Sequence, residues 1–214
     1  MCRINKLIFI LLIIFCNSSF SQNEISFRIG SIKLLDKLDW VYKPTPLYSF
    51  SYIYLNDAEK STSFGIGGSF GMTKFTPKEE KFYYQTDNSE IGYVTYSDYK
   101  MYQLLMKMEL HFIDNEIFEP AIGLHGGFFY TGYDYYSKDE TITDGTTFGT
   151  DLALCPNAGV NINITENFGV SLQAIYNVYV FLGDLDDNMF IYHPDGGSIN
   201  YFTTINYGIH YRFN

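Results

Sequence analysis

Apolar and polar residues alternate with a period of two along most of the chain after its first 21 residues. Successive side chains of a β-strand point to opposite faces, so this period predicts strands with one apolar face each. No later stretch has a convincing helical period. The alternation recurs in eight runs, at residues 24–32, 47–55, 63–73, 99–112, 118–133, 150–164, 168–181 and 201–214. We therefore predict an all-β fold.

The lengths of these runs and of the links between them indicate a membrane barrel. Most runs reach the roughly 9–11 residues of a tilted membrane-spanning strand, whereas soluble strands peak at about 5–6. Short links alternate with long ones; the short ones are 56–62, 113–117 and 165–167, and the long ones 33–46, 74–98, 134–149 and 182–200. Short turns at one end and long loops at the other are typical of outer-membrane barrels. We predict an eight-stranded antiparallel up-and-down transmembrane β-barrel, with both termini on the short-turn, periplasmic side.

Residues 1–21 have the features of a secretory signal peptide. Arg3 and Lys6 precede an apolar run over 7–15, and Ser19 and Ser21 are small residues suited to cleavage. The run is shorter than the roughly 20 apolar residues of a transmembrane helix. We therefore expect a signal peptide at 1–21 and one barrel domain at 22–214. Cys155 would be the one cysteine left, which excludes an internal disulfide and a cysteine-rich zinc site.

Charge and aromatic content narrow the possible environments. Loss of Arg3 and Lys6 with the signal would change the formal net charge from −10 to −12, which argues against nucleic acid as a partner. Aromatic residues make up 19% of the chain, with 20 Tyr and 19 Phe, which is more than a soluble core needs. Tyrosine favours places where one end of its ring is apolar and the other wet, such as a membrane interface.

The face opposite the apolar one is built mainly of small neutral residues. A soluble barrel would need Lys and Glu there, because its apolar face points inward. Small groups suit instead the crowded lumen of a narrow membrane barrel whose apolar face meets lipid. A secreted soluble ligand-binding barrel stays open as the alternative. The inward set includes Gly65, Gly67, Ser69, Gly71, Gly123, Gly127, Asn161, Asn163, Ser171, Gln173, Asn177, Thr204 and Asn206.

A few charged and histidine side chains share this inward face and form a predicted lumen charge network. The first run and the last become neighbours when the barrel closes, and the fourth and fifth lie on the opposite wall. We expect Arg28 and Arg212 to bridge the lumen to Glu109 and Glu119, because a buried charge needs a partner and arginine binds carboxylates bidentately. A proton or ion path through the same residues is the functional alternative. The predicted network is Arg28, Lys107, Glu109, His111, Glu119, His125, His210 and Arg212.

We expect no catalysis, cofactor or metal. An enzyme acting on membrane lipid needs its catalytic groups on the lipid-facing surface near the outer rim, whereas three of the four histidines point inward and His193 lies in a loop. Asp184, Asp186 and Asn188 have the spacing of the first half of a calcium loop, but the glycine and glutamate that complete such a loop are absent. We interpret 182–200 as a solvated acidic loop.

The signal ending "SFSQ", the eight runs, the segment "CPNAGVNINI" and the closing "NYGIHYRFN" together resemble the small outer-membrane β-barrels of Bacteroidota, the PorT-like group and OmpA-type transmembrane domains. The resemblance implies an outer-membrane location and insertion into its lipid by the barrel-assembly machinery. That machinery would recognise the last strand through Tyr207, Ile209, Tyr211 and Phe213. Here Asn214 follows the last aromatic residue, a departure from the usual terminal aromatic.

The expected function is that of a structural or interaction module with a side-chain-filled lumen. Tyr-rich loops at 74–98 and 182–200 would face a protein partner, and the barrel would serve as an accessory subunit of a larger envelope complex. The alternative is a pore for small solutes or ions.

Overall fold

The computed structural model describes residues 22–34, 37–56, 61–85, 91–112, 117–137, 145–181 and 199–213. The predicted signal peptide, the calcium-like stretch 184–188, His193 and Asn214 lie outside these residues. Within them the chain forms one short helix, α1 (Lys37–Val41), and ten strands. The strands are β1 (Gln22–Leu34), β2 (Pro46–Asn56), β3 (Thr62–Phe75), β4 (Phe82–Gln85), β5 (Ile91–Tyr96), β6 (Tyr99–Phe112), β7 (Phe118–Ser137), β8 (Gly145–Asn163), β9 (Phe168–Phe181) and β10 (Ile199–Phe213).

Eight of the strands close into an antiparallel barrel. Around the ring they follow the order β1, β2, β3, β6, β7, β8, β9 and β10, and β10 pairs back with β1 from Asn23 opposite Phe213 to Leu34 opposite Phe202. Each predicted run coincides with one of these strands, except that Ile164 follows the end of β8 and Asn214 lies outside the described residues. The predicted eight-stranded antiparallel β-barrel is therefore confirmed. β1 begins and β10 ends at what we call the short-turn end; the other end is the long-loop end.

The chain between β3 and β6 contains structure where a loop was predicted. β4 and β5 form a hairpin, and β5 pairs with the last residues of β7, from Val94 opposite Ser137 to Tyr96 opposite Tyr135. Adjacent aromatic residues at Phe82, Tyr83 and Tyr84 hide any period of two in β4. The next pair, Lys100 opposite Gly132, requires one extra residue on the β5–β6 side, so the intervening Ser97–Asp98 link is a bulge.

Pro156 interrupts one ladder of β8 without changing its register. β8 pairs with β9 at Leu154 opposite Val178 and resumes at Asn157 opposite Ile175, and the residues between lack partners on that side. Proline has no backbone N–H to donate, which accounts for the gap. Its other neighbour, β7, stays paired through Leu124. A proline within a strand indicates either a bulge or a local break in the ladder, and β8 has the local break.

The two faces of the strands have opposite chemistry. On β6, Leu104 is 54% exposed on the outside, whereas its neighbours Gln103 and Leu105 are each 5% exposed inside the barrel. Around the ring the outer face carries large apolar side chains, whereas the inner face carries the buried polar and charged side chains and, towards the long-loop end, a buried aromatic and aliphatic cluster. A soluble barrel has the reverse arrangement. Among the described helical residues, no helix is long and apolar enough to cross a membrane.

Candidate functional site

The lumen near the short-turn end holds all of the predicted charge network. Strand alternation places these eight side chains on the inner face, and none is more than 6% exposed. Buried charges of this kind are costly unless they are paired, so their partners decide whether the lumen is stable.

Arg212 lies at the centre of the network. Its Nη1 and Nη2 donate to Oε2 and Oε1 of Glu119 at 2.7 and 2.6 Å, which links β10 to β7 across the lumen. Its Nε and Nη2 also donate to Oε2 of Glu24 at 2.9 and 2.8 Å, on the adjacent strand β1. One guanidinium therefore holds two carboxylates from opposite walls.

Arg28 takes partners other than the expected Glu109. Its Nη2 lies 4.0 Å from Oε1 of Glu24, four residues earlier on the same face, and its Nε donates to Oγ of Ser171 at 3.0 Å. Glu24 supplies a nearer carboxylate, so the expected Arg28–Glu109 bridge is wrong. Glu24 therefore places an acid on the same wall as the two arginines.

Glu109 is held mainly by its own wall. Its Oε1 lies 3.2 Å from Nζ of Lys107 and 2.8 Å from Nε2 of His125, and it accepts a hydrogen bond from Nε2 of Gln173 on β9 at 2.9 Å. His111 connects Glu109 to Glu119, which is bound to Arg212. Its Nδ1 lies 2.6 Å from Oε1 of Glu119, and its Nε2 lies 3.5 Å from Oε2 of Glu109. A continuous chain of charged and imidazole groups thus runs from Glu24 to His125. His210 makes its side-chain hydrogen bond outside this chain, with Nε2 3.0 Å from Oδ1 of Asn163.

Two buried acids belong to the lumen but not to the predicted network. Glu24 is 1% exposed and Asp151 2% exposed. The alternation predicts an inward position for both. Glu24 lies on the same face of β1 as Arg28, and Asp151 lies on the same face of β8 as Cys155. Cys155 is itself 0% exposed on the inner face.

The members of the network nearest the middle of the barrel border a small polar cavity in the lumen. A cavity of about 20 Å³ is lined by residues that include Arg28, Lys107, His125, Gln173 and Asn206. This volume is enough for about one water molecule. The lumen at this level is therefore closed by side chains.

Aromatic side chains fill the lumen towards the long-loop end. Phe129, Tyr179 and Phe202 contact one another with ring centroids 5.4–5.9 Å apart. Higher up, the ring of Tyr99 lies 5.5 Å from that of Tyr42 and 5.7 Å from that of Tyr133. We call these six residues the aromatic plug; each is 6% exposed or less.

Tyr42 is the one member of the plug outside the barrel strands. It follows α1, and its hydroxyl donates to the carbonyl of Ser97 at 3.4 Å. Burial raises the pKa of Tyr42 above its usual value, so the phenol stays neutral. The link between β1 and β2 thus folds inward over the mouth of the barrel, a feature that alternation cannot reveal.

The predicted insertion-signal residues lie on the outer face of the last strand. Tyr207, Ile209, Tyr211 and Phe213 are 37–55% exposed, and the rings of Tyr211 and Phe213 stack with centroids 6.3 Å apart. Among the residues that the structure describes, no group of three or more His, Cys, Asp or Glu is arranged to hold a metal ion.

No protein-family model matches the chain, and no curated protein matches it. Solved structures match at low identity. Ail, the attachment invasion locus protein of Yersinia pestis, is 19% identical over 90% of this chain and 97% of its own, with a TM-score of 0.45. Neisserial surface protein A is 12% identical over 90% and 97%, with a TM-score of 0.47. OprG of Pseudomonas aeruginosa is 15% identical over 91% and 95%, with a TM-score of 0.44. At this level of similarity, nothing about the roles of those proteins transfers to this chain.

Proposed function

We propose that this chain is an integral outer-membrane barrel with a closed lumen, which acts as a structural or interaction module. The observation that carries the proposal is the inverted arrangement of its faces. The ion network is buried and paired inside, and large apolar side chains are exposed outside.

The outer surface supports a lipid environment. Across the barrel strands the exposed side chains are mostly Phe, Leu, Ile, Met, Val and Tyr; Leu104, Met106, Leu154 and Leu172 are each about half exposed or more, at 51–63%. Monomeric soluble proteins rarely expose apolar patches beyond a few hundred Å². In a bilayer the same surface meets hydrocarbon, and the closed barrel pairs the backbone groups that lipid cannot satisfy.

The interior supports a non-conducting role. The ion network closes the short-turn end, and the aromatic plug closes the long-loop end. Eight strands enclose a space just wide enough for side chains to fill. A proton path through Glu119, His111 and Glu109 would have to cross the aromatic plug, so we rank the small-solute or ion pore second.

The proposed interaction surface is the rim at the long-loop end. Trp40 on α1, Tyr83 on the β4–β5 hairpin and Phe148 on β8 are 64%, 58% and 81% exposed there. Aromatic residues are enriched at protein interfaces. We propose that this rim contacts a protein partner, as in an accessory subunit of an envelope complex. Membership of the PorT-like or OmpA-type Bacteroidota barrels, and insertion through Tyr207, Ile209, Tyr211 and Phe213, belong to the same proposal.

Three measurements test it. Membrane-extracted protein should change its gel mobility on boiling, because a closed barrel resists detergent until heated, and it should fractionate with the outer membrane. Folded protein in planar bilayers should give no steady single-channel conductance. Soluble protein without a mobility shift would contradict the membrane location. Steady conductance from folded protein would contradict the closed lumen and favour the pore.

A further inference from the structure

Two lysines stand directly opposite each other on the outer surface, at the upper boundary of the apolar band. Lys74 on β3 pairs in register with Lys100 on β6, and both side chains point away from the lumen. The next outward-facing residues below them are Met72 on β3 and Tyr102 on β6, which are 48% and 44% exposed. The change from apolar to cationic thus occurs at the same level on both strands.

Like charges on directly opposed residues of an antiparallel pair destabilise the sheet. Asp98 relieves part of this repulsion, since its Oδ2 lies 2.7 Å from Nζ of Lys74. The hydrogen bond from Lys74 lowers the pKa of Asp98, which therefore stays ionised. Among the salt bridges of the described residues, Asp98 pairs with Lys74 and none involves Lys100, so an anion placed beside the Lys100 ammonium group would be stabilised.

Hollows on both sides of Lys100 give such an anion room. One, of about 340 Å³, is lined by residues that include Pro46, Tyr48, Met72, Lys74 and Tyr102. The other, of about 400 Å³, shares Lys100 and Tyr102 and is lined further by Asp98, Tyr130, Asp134 and Phe148. Asp134, the second acid here, accepts a hydrogen bond from the hydroxyl of Thr146 at 2.7 Å.

The two hollows are apolar below and charged above. Tyr48, Met72 and Tyr102 border the band that we assign to lipid, whereas the ammonium groups lie at its upper edge. A ligand that fits both parts needs hydrocarbon chains next to an anionic group. Lysine binds phosphate as a point charge, and tyrosine favours the boundary between hydrocarbon and headgroups.

We infer that Lys74 and Lys100 form a binding site for a phosphorylated lipid of the outer leaflet, with the phosphate at the two ammonium groups and acyl chains along Tyr48, Met72 and Tyr102. The inference rests on the proposed membrane location, because a barrel in water would meet no such lipid. It adds a ligand class and a position on the outer wall that the closed-lumen proposal does not contain.

The test uses the mature protein folded in neutral detergent micelles, with native mass spectrometry to count bound lipid. The probes are bis-phosphorylated lipid A, its dephosphorylated form, and the de-acylated phosphorylated disaccharide. Wild-type protein should retain the first and not the other two. A K74Q/K100Q double variant should bind it about tenfold more weakly, on the order of one lost charge-assisted contact. Lys33→Gln is the matched control, since Lys33 is also exposed on an outer strand position but does not line either hollow.

Heat-dependent gel mobility of every variant separates the two proposals. If the wild type does not fold as a heat-modifiable barrel, the membrane location fails and the site fails with it. If it folds but K74Q/K100Q retains lipid A as well as the wild type, or K33Q loses as much, the site is wrong while the barrel stands. Equal binding of the de-acylated disaccharide would overturn the lipid assignment and indicate a site for free phosphate.

Discussion

The guanidinium of Arg212 and the carboxylate of Glu119 form two hydrogen bonds, at 2.6 and 2.7 Å, across the inside of the barrel. The two residues are 93 positions apart in the chain and lie on strands from opposite walls. The pair therefore clamps the lumen at the short-turn end.

Replacing Glu119 by Gln should destabilise the barrel. Removal of one partner from a buried ion pair costs about 3–5 kcal/mol, and because Arg212 keeps Glu24 we expect the lower end of that range. The measurement is the urea midpoint of unfolding in detergent micelles, followed by gel mobility without boiling. Glu79→Gln is the control, since Glu79 is exposed between β3 and β4. An unchanged midpoint for E119Q would show that the clamp contributes no stability.

A side chain at Gly123 on β7 should destabilise the barrel. It pairs with Glu109, and a Cβ there would lie 2.6 Å from Cγ of Glu109 and 2.6 Å from the carbonyl oxygen of Met108. We expect Gly123→Ala to lower the free energy of unfolding by about 1–3 kcal/mol, the usual cost of overpacking. Gly126→Ala on the same strand is the matched control, because its nearest contact would be an ordinary 3.8 Å. Equal stabilities of the two variants would contradict the packing of the lower lumen.

Arginine in the middle of the outer band should impair insertion. Leu104 is 54% exposed on β6, and arginine near the midplane of a bilayer costs a membrane barrel about 2–4 kcal/mol. Leu104→Arg should therefore reduce the fraction that folds into lipid vesicles, measured by the heat-dependent gel shift. Tyr83→Arg, at a 58% exposed position on the β4–β5 hairpin, should fold like the wild type. If L104R folded as well and became more soluble, the outer face would be a water-facing surface.

Cys155 should be unreactive in the folded protein. It is 0% exposed on the inner face of β8, beside the gap opposite β9. A water-soluble maleimide should leave the protein unlabelled after extraction and label it fully after heating in denaturing detergent, as read by mass spectrometry. Rapid labelling of the folded barrel would mean that water and small solutes enter the lumen, which would favour the pore.

Alternation was enough to assign the barrel strands and to divide each strand into two faces, and the composition of those faces indicated which one is buried. The period of two along Phe64, Ile66, Phe70 and Met72, with glycine and serine between them, reflects local geometry, because each strand residue points opposite to its neighbour. An even number of such strands makes the first and the last strand antiparallel neighbours when the barrel closes. For the same reason the buried positions of Arg28, Glu109, Glu119 and Arg212 could be read from parity.

Which of those buried charges meet, and what closes the mouth, was decided by the tertiary structure. Contacts across the lumen depend on register and strand tilt, which bring Arg212 to Glu119 but leave Arg28 with Glu24 and Ser171. The inward position of Tyr42 depends on its ring contacts with Tyr96 and Tyr99, which lie more than 50 residues further along the chain. The pairing of β5 with β7 depends on a one-residue bulge at Ser97–Asp98. A two-residue period records which face a side chain occupies. The identity of its partner across the barrel is set by the three-dimensional arrangement of eight strands.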